Sequence, residues 1–454
     1  MGMWMSRQGL WAALVFLCWW GTAATAELPE ALTPLGAERA AGVEGRIPAW
    51  DGGLTPANSP PVTTGLTDPF AKEEPLFVID ADNMAQYLEY LPLGQQALLR
   101  RYPDTYRLPI YASHRTAAAP QRVYDETARN HQRARLVNDG NGLEQAYGGV
   151  PFPVPEKAAG EVDPIRLMWN HLTRWRGVYL KASLSEAAVQ SNGTHTPVTT
   201  QQEAYFVYYN PDKGPDALDN KLAYYLAFIK SPPRLAGGGL LVHETIDRVK
   251  EPRNAWVYNA GTRRVRRAPS VEYDMPVPSS DNLITADDVD MFNGALDRFL
   301  WRFVGKQALY IPYNSYRLSN ATSADEPLLL RGHINPDLTR YELHRVWIVE
   351  AVTRPGVRHL YSKRRFYIDE DTWGIVQADQ YDTRGELWRV HLAHTVNYYH
   401  VPVTWAALQV SHELDSGRYF AGYLDNASGM AIEFQTEAPS ERYFSPQSLR
   451  RMGR

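Results

Sequence analysis

The sequence predicts a mainly β protein with a few helices, built on one large, mostly antiparallel sheet that its own twist curls. Two observations carry this prediction. From Gly177 onward, apolar residues recur with a period of two in more than ten runs of strand length. Clusters of turn-forming residues separate those runs. A sheet with so many antiparallel strands tends to curl or close instead of staying flat.

The chain begins with a predicted signal peptide that spans residues 1–26. Arg7 precedes an apolar run over residues 10–20, and small residues that end at Ala26 form a cleavage site. We therefore expect cleavage after Ala26 and export to the periplasm. Cys18 is the one cysteine and lies within this segment, where Leu17 replaces the small residue that a lipoprotein box requires. The mature protein should therefore contain no thiol.

The composition of the chain indicates which classes of partner the protein is suited to bind. The formal net charge of −4 and the pI of about 6.3 argue against nucleic acid, which would favour a strongly basic domain. Aromatic residues make up 12% of the chain, so a large apolar surface must be covered.

Residues 27–162 are predicted to form an extended segment with short helices, docked on the body of the protein. Pro and Gly are too dense before residue 80 for long regular elements. Apolar anchors such as Ile47 and Trp50 favour docking over disorder. Two short helices are expected over 81–90 and 93–101, then a strand-like or irregular passage to Val137 and an irregular loop over 141–155.

The body is predicted to span residues 163–454 and to begin with a helix. Asp163 is a suitable N-cap, Pro164 suits the first helical position, and an apolar stripe runs through Trp169 and Leu172. Some helical character is also expected over 285–300. The predicted strands cover 178–184, 199–209, 221–229, 240–247, 255–259, 263–267, 306–311, 341–353, 359–368, 375–382, 387–399, 404–411 and 418–424.

No motif that carries a catalytic mechanism is recognised, so no catalytic residue, metal site or cofactor is predicted. His243 and His412 each precede a glutamate, but neither has the second histidine of a zinc helix. His391 and His394 would point to opposite faces of a strand and could not bind one ion together.

Two charged stretches have competing interpretations. The residues 369–371 (Asp-Glu-Asp) could serve as paired acids, but they lie in a hairpin turn, where Asp stabilises the backbone, and the turn role is favoured. Four arginines lie close together on a predicted strand: Arg263, Arg264, Arg266 and Arg267. They either protect an edge strand with charge or contact an anionic headgroup or an acidic partner.

Four stretches resemble a known bacterial family, the one numbered 1329 among domains of unknown function. They are the segment from Leu32 to Gly53, the Tyr102-Pro103-Asp104-Thr105-Tyr106-Arg107 run, residues 114–120 and residues 170–177. The resemblance covers nearly the whole mature chain. It implies a fold similar to the LolA/LolB lipoprotein carriers, an incomplete barrel whose concave apolar face is covered by helices. It also associates the chain with an inner-membrane efflux-type transporter and an outer-membrane protein as partners.

These observations favour a periplasmic carrier or chaperone that binds a lipid, an acyl chain or another hydrophobic molecule without catalysis. An apolar cavity needs few specific polar groups, which fits the lack of a recognised motif. The alternatives are an envelope adaptor for a membrane transporter, with a filled core, and an exported hydrolase. The residues predicted to line the cavity are Trp169, Leu172, Leu226, Phe228, Trp256, Phe366, Trp388 and Val390.

Overall fold

The computed structural model describes Met1 and residues 27–62, 65–157, 160–268, 273–321, 327–425 and 432–453. The predicted cleavage site after Ala26 lies outside the described residues. Among the helices in these ranges, none has both the length and the apolar character needed to cross a bilayer.

The described chain contains five α-helices, several short 3-10 turns and eighteen strands. The helices are α1 (Leu93–Arg101), α2 (Gln121–Arg133), α3 (Pro164–Leu172), α4 (Tyr316–Ser319) and α5 (Pro446–Met452). The strands are β1 (Phe77–Ile79), β2 (Leu108–Ile110), β3 (Arg135–Val137), β4 (Gly142–Glu144), β5 (Tyr179–Val189), β6 (Val198–Tyr205), β7 (Lys221–Ser231), β8 (Gly239–Thr245), β9 (Asn254–Asn259), β10 (Arg264–Arg267), β11 (Phe299–Pro312), β12 (Tyr341–Thr353), β13 (Lys363–Asp369), β14 (Ile375–Tyr381), β15 (Leu387–Tyr398), β16 (Val403–Glu413), β17 (Tyr419–Leu424) and β18 (Ile432–Gln435).

Sixteen of these strands form one open sheet, in which β12 to β17 continue into β5 to β10. The pairings are antiparallel, apart from a single parallel contact between β2 and β12. The sheet curls into an incomplete barrel, and one apolar core joins α3 to residues from both halves of the sheet, including Leu184 of β5 and Phe366 of β13. The predicted fold class is therefore confirmed.

Helices cover both faces of the sheet. We call one side the α3 face, where α3 packs over Phe366. The other is the α1 face, where Gly94 of α1 contacts Val390 and Asp379. Residues directly opposite each other in an antiparallel pair lie on the same face of the sheet. The register of the strand pairs therefore shows on which of the two faces the residues of the other strands lie. By that register α5 covers the α1 face at the far end, where Leu449 lies near Gly239 and Phe228.

The observed helices correct three sequence predictions. The helix over 93–101 and the Asp163 N-cap of α3 are confirmed, and Asp163 accepts a hydrogen bond from the Ile165 amide at 3.0 Å. Residues 81–90 form only two 3-10 turns, and 285–300 contain one capped 3-10 turn before β11 begins. The passage after Pro120, which was predicted to be strand-like or irregular, forms the helix α2. Its buried residues include the polar Thr127 and Asn130, so apolar residues alone do not show the helical period.

The N-terminal segment docks through buried side chains and hydrogen bonds. Ile47 is buried in the core that contains Leu98 of α1 and Tyr310 of β11. Trp50 donates its indole N–H to the Ala117 carbonyl at 3.1 Å. The division of the chain at residue 162 stays a prediction, since β1 and β2 of this segment also pair with the main sheet.

Candidate functional site

The predicted lining residues on the α3 face lie in a packed core. Phe366 is fully buried, with its ring 5.4 Å from that of Phe292 and 6.0 Å from that of Trp301. Trp169 and Leu172 are also buried, and the Trp169 indole donates to the Gly140 carbonyl at 2.8 Å. These three predicted residues belong to one apolar core, and neighbouring side chains fill the space around Phe366.

Leu226 and Phe228 line a pocket of about 360 Å³ on the opposite face. The pocket lies between β6, β7 and the end of α5, and its volume is within the range of small-molecule sites. Its walls comprise Gln201, Glu203, Leu226, Phe228, Ile229, Lys230, Ala236, Gly237, Met452 and Gly453. The sequence analysis missed the contribution of α5, although Ser445 and Pro446 carry the signal of a capped helix start.

The pocket has polar groups at one side of an apolar floor. Glu203 accepts hydrogen bonds from the hydroxyls of Tyr179 and Tyr443, the latter at 2.9 Å. Burial, followed by the Glu203 contact, raises the pKa of Tyr443 to about 12, so this hydroxyl stays protonated and keeps donating at neutral pH. The side chain of Lys230 is exposed and brings a positive charge to the pocket. The pocket therefore combines an apolar floor with one acidic side chain, Glu203, and one basic side chain, Lys230.

The remaining predicted lining residues lie elsewhere. Trp256 is half-buried on the α1 face, where its ring is 4.7 Å from His243. Val390 is buried against α1, in a core that it shares with Leu98. Trp388 lies where the register of β14 and β15 shifts, and the Arg389 guanidinium stacks on its ring at 3.9 Å. The eight predicted residues are therefore not brought together at one site.

The four predicted contact arginines lie at a sheet edge. Arg264, Arg266 and Arg267 belong to β10, which pairs only with β9 among the described strands, and Arg263 precedes it with φ of 53°. All four are exposed. Both interpretations of the sequence, an edge protected by charge and a contact for an anionic group, fit this position.

A buried charged network occupies the α3 face next to Phe366. Arg364 is fully buried and donates to Asp287 at 2.8 Å and to Asp288. Burial acts to raise the pKa of both carboxyls, but the Arg364 guanidinium holds each below its usual value. The two aspartates are thus charged and paired, which is the requirement for burying such groups.

A serine and a histidine are also adjacent on this face. His391 Nε2 lies 2.5 Å from Ser411 Oγ, which in turn donates to the Leu283 carbonyl at 3.1 Å. Burial is the main cause that lowers the pKa of His391 to about 4. Because both side chains are buried and the hydroxyl proton has a backbone acceptor, the pair fixes the loop at Leu283 to the sheet. As predicted, His391 and His394 lie on opposite faces, paired with Ser411 and Leu408.

Comparisons with known proteins place this architecture in a family. The chain is 47% identical over 429 residues to uncharacterized protein PA3922 of Pseudomonas aeruginosa, which covers 94% of this chain and 93% of that protein. A DUF1329 family protein from Desulfovibrio piger is similar in structure, with 14% identity and a TM-score of 0.40 over 60% of this chain and 92% of that one. The LolA superfamily protein NE2245 from Nitrosomonas europaea gives 10% identity and a TM-score of 0.35 over the same shares. The family model described as protein of unknown function (DUF1329) matches residues 78–450, so the chain belongs to the DUF1329 family.

Proposed function

We propose that this protein is a periplasmic carrier that binds the acyl chain of a lipid, or a similar hydrophobic molecule, in the pocket beneath α5. The observation that carries the proposal is the pocket of about 360 Å³, whose floor includes Leu226 and Phe228. Both residues are predicted from the sequence as contacts for hydrophobic cargo.

The chemistry of the pocket supports an amphiphilic ligand. Each methylene removed from water contributes about 0.8 kcal/mol, so even a partly inserted chain gains several kcal/mol before the costs of association. Lys230 offers a positive charge for a carboxylate or phosphate at the end of the chain. Met452 of α5 lines the opposite wall, and its flexible thioether side chain can adapt to chains of different shape.

The same proposal covers location and partners. The predicted signal peptide supports export, and a carrier in the envelope needs a donor and an acceptor of its cargo. We propose an inner-membrane efflux-type transporter and an outer-membrane protein in these two roles.

One observation favours the second candidate, a non-catalytic adaptor for a membrane transporter. On the α3 face Phe366, Trp169 and Leu172 are buried in a packed core. An adaptor would use the sheet as a rigid scaffold and its outer surface for contacts. The two functions differ in whether the pocket beneath α5 takes up cargo.

A binding experiment with matched variants separates these functions. Protein purified without detergent is extracted with organic solvent for mass spectrometry, and the delipidated protein is titrated with a fluorescent long-chain fatty acid. Ala236→Trp places a large ring in the pocket, whereas Ala217→Trp adds the same ring at an exposed loop away from the pocket lining. We expect saturable binding that Ala236→Trp weakens at least about tenfold, which is about 1.4 kcal/mol, and that Ala217→Trp leaves unchanged. If there is no co-purified lipid and no saturable binding, the carrier is excluded and the adaptor is supported.

A further inference from the structure

Three potential metal ligands meet on the α1 face, away from the pocket. His344 of β12, Asp369 at the end of β13 and Asp371 in the following turn each offer one ligand atom, and these atoms lie within 4.8 Å of one another. All three side chains are buried. The cluster therefore combines an imidazole and two carboxylates where water has little access.

One oxygen of a carboxylate in the cluster lacks a hydrogen-bond partner among the described residues. Asp369 Oδ2 accepts hydrogen bonds from the Thr372 amide at 3.0 Å and from its hydroxyl at 2.6 Å, which confirms the predicted turn role. Asp369 Oδ1 is buried and has no hydrogen-bond partner among the residues that the structure describes. An unpaired buried carboxylate oxygen is costly, so this atom calls for a bound cation or a proton.

The neighbouring acids already have cations of their own. Arg115 binds Asp371 with two hydrogen bonds, at 2.9 and 2.6 Å. Arg340 binds Glu342 at 2.6 Å, and Lys306 binds Glu370 at 2.8 Å. Asp369 is therefore the acid of this group that has no arginine or lysine partner among the described residues. Asp371 can still serve as a ligand, since a carboxylate offers about four lone-pair sites and Arg115 occupies two of them.

His344 is held in the manner typical of a metal-bound histidine. Its Nε2 lies 3.1 Å from a Glu342 carboxylate oxygen, which leaves Nδ1 as the second ring nitrogen. A carboxylate on one ring nitrogen orients the histidine and strengthens the other nitrogen as a ligand. The Tyr313 ring stacks on His344 at 3.9 Å, and its hydroxyl is likewise buried without a hydrogen-bond partner in the described chain.

We propose that His344, Asp369 and Asp371 bind a divalent first-row transition-metal ion. A mixed nitrogen and carboxylate set suits Zn²⁺ or Mn²⁺, whereas Ca²⁺ and Mg²⁺ favour oxygen ligands alone. Ligand atoms around one such ion lie roughly 3 to 4 Å apart, so a small rotation of the side chains closes the cluster.

The position of the site assigns it a structural role. Arg115, which holds Asp371, also donates to the Glu38 carbonyl at 2.7 Å, and the amide of Glu38 donates to Glu370. An ion bound at Asp369 and Asp371 would fix the hairpin turn onto which the N-terminal segment docks. Metal binding should therefore stabilise the attachment of residues 27–62 to the sheet.

Metal binding is measured on the full chain after treatment with EDTA and dialysis. Zn²⁺, Mn²⁺ and Ca²⁺ are each titrated by calorimetry, and Co²⁺ is added as a spectroscopic probe of ligand number. We expect one Zn²⁺ or Mn²⁺ per chain, weaker or no binding of Ca²⁺, and visible Co²⁺ absorption that shows a protein ligand set including nitrogen.

A matched pair of variants makes the assignment specific. Asp369→Asn removes the unpaired charge, while Asp379→Asn makes the same change at another buried carboxylate, which accepts hydrogen bonds from Tyr367, Gln377 and Gly94. We expect Asp369→Asn to weaken metal binding at least about tenfold and Asp379→Asn to leave it unchanged, with circular dichroism confirming that both variants fold. His344→Gln provides a second test that leaves both carboxylates in place.

The opposite results would overturn the proposal. One is the absence of saturable metal binding to the wild-type chain, which would mean that a proton neutralises Asp369. The other is equal metal binding by the wild type and Asp369→Asn. Loss of limited-proteolysis protection over residues 27–62 on metal removal is expected for the wild type, and its absence would exclude the structural role.

Discussion

Phe366 and Val390 lie on opposite faces of the sheet, although both belong to the β13–β15 meander. Phe366 pairs with Ala378, and Ala378 pairs with His391, so His391 shares the face of Phe366. Val390 is the neighbour of His391 in β15 and therefore points the other way, into the core beside α1. The meander is thus a wall with a packed core on each side, and the cargo pocket proposed here lies elsewhere, beside β7.

Phe366→Ala should destabilise the protein strongly without affecting fatty-acid binding. The ring is fully buried against Phe292 and Trp301, so truncation leaves a cavity and costs about 3 to 5 kcal/mol of unfolding free energy. Urea denaturation measures this loss. Val257→Ala on β9 is the control, because Val257 is 43% exposed and should change stability by less than about 0.5 kcal/mol. A mild effect of Phe366→Ala, with loss of fatty-acid binding, would return the cargo site to the α3 face.

Arg364→Met should destabilise the fold although methionine fills much of the same space. The substitution leaves Asp287 and Asp288 buried without their shared cation, and breaking a buried pair in this way costs about 3 to 5 kcal/mol. Arg384→Met tests the exposed Arg384–Asp382 pair in a turn of the same meander and should have no measurable effect. Urea denaturation at neutral pH compares the two variants. Equal stability of both would mean that Arg364 contributes only through its hydrocarbon chain.

The stability of the protein should fall as the pH drops below neutral, and His394 should account for part of that fall. Burial lowers the pKa of His394 to about 3 in the folded protein, whereas an unfolded histidine titrates near pH 6.5. Between these pH values the histidine is protonated in the unfolded chain and neutral in the folded chain. The unfolding free energy therefore decreases as the pH falls from about 6.5 toward 3. The slope for one such histidine is about 1.4 kcal/mol per pH unit.

His394→Leu should reduce this pH dependence, because leucine cannot take up the proton in the unfolded state. Denaturation curves between pH 7 and pH 5 measure the change, and His131→Leu, at an exposed position on α2, serves as the control. The remaining slope should reflect other buried histidines, such as His412, whose pKa is lowered to about 3 mainly by burial. An unchanged slope in His394→Leu would show that this histidine is already protonated or exposed before unfolding.

Local chemistry made much of the fold predictable from the sequence. The Asp163-Pro164 start of α3 depends only on neighbouring residues, and the alternation along β12 to β16 reflects burial of the sheet. α2 was missed because its buried positions include Thr127 and Asn130, whose polarity conceals the apolar stripe on which such a prediction depends.

The candidate sites were less predictable, because they depend on contacts between distant parts of the chain. Whether Val390 faces α1 or α3 is fixed by the register of its strand, because a shift of one residue would move every side chain of the strand to the other face of the sheet. The pocket requires Met452 of α5 to lie across Leu226 and Phe228 of β7, and the metal cluster joins His344 to the turn at Asp369. The turn role of Asp369 was predicted correctly, but the unpaired oxygen could be recognised only once its surroundings were known.

The exposed arginines near β10 give the last prediction, which tests whether the sheet edge contacts an anionic lipid surface. Four positive charges lie within five residues at the last strand of the sheet, and all four side chains of this basic patch are exposed. Near an anionic membrane each such side chain adds to binding, and the attraction falls as salt screens it. Replacing all four by glutamine should therefore weaken binding to vesicles that contain anionic phospholipid at least about tenfold at low salt.

The control replaces the dispersed, exposed Arg100, Arg135, Arg234 and Arg384 by glutamine, which makes the same change in net charge. Co-sedimentation with vesicles measures both variants, and if the two weaken equally, only net charge matters and the patch serves to protect the edge strand.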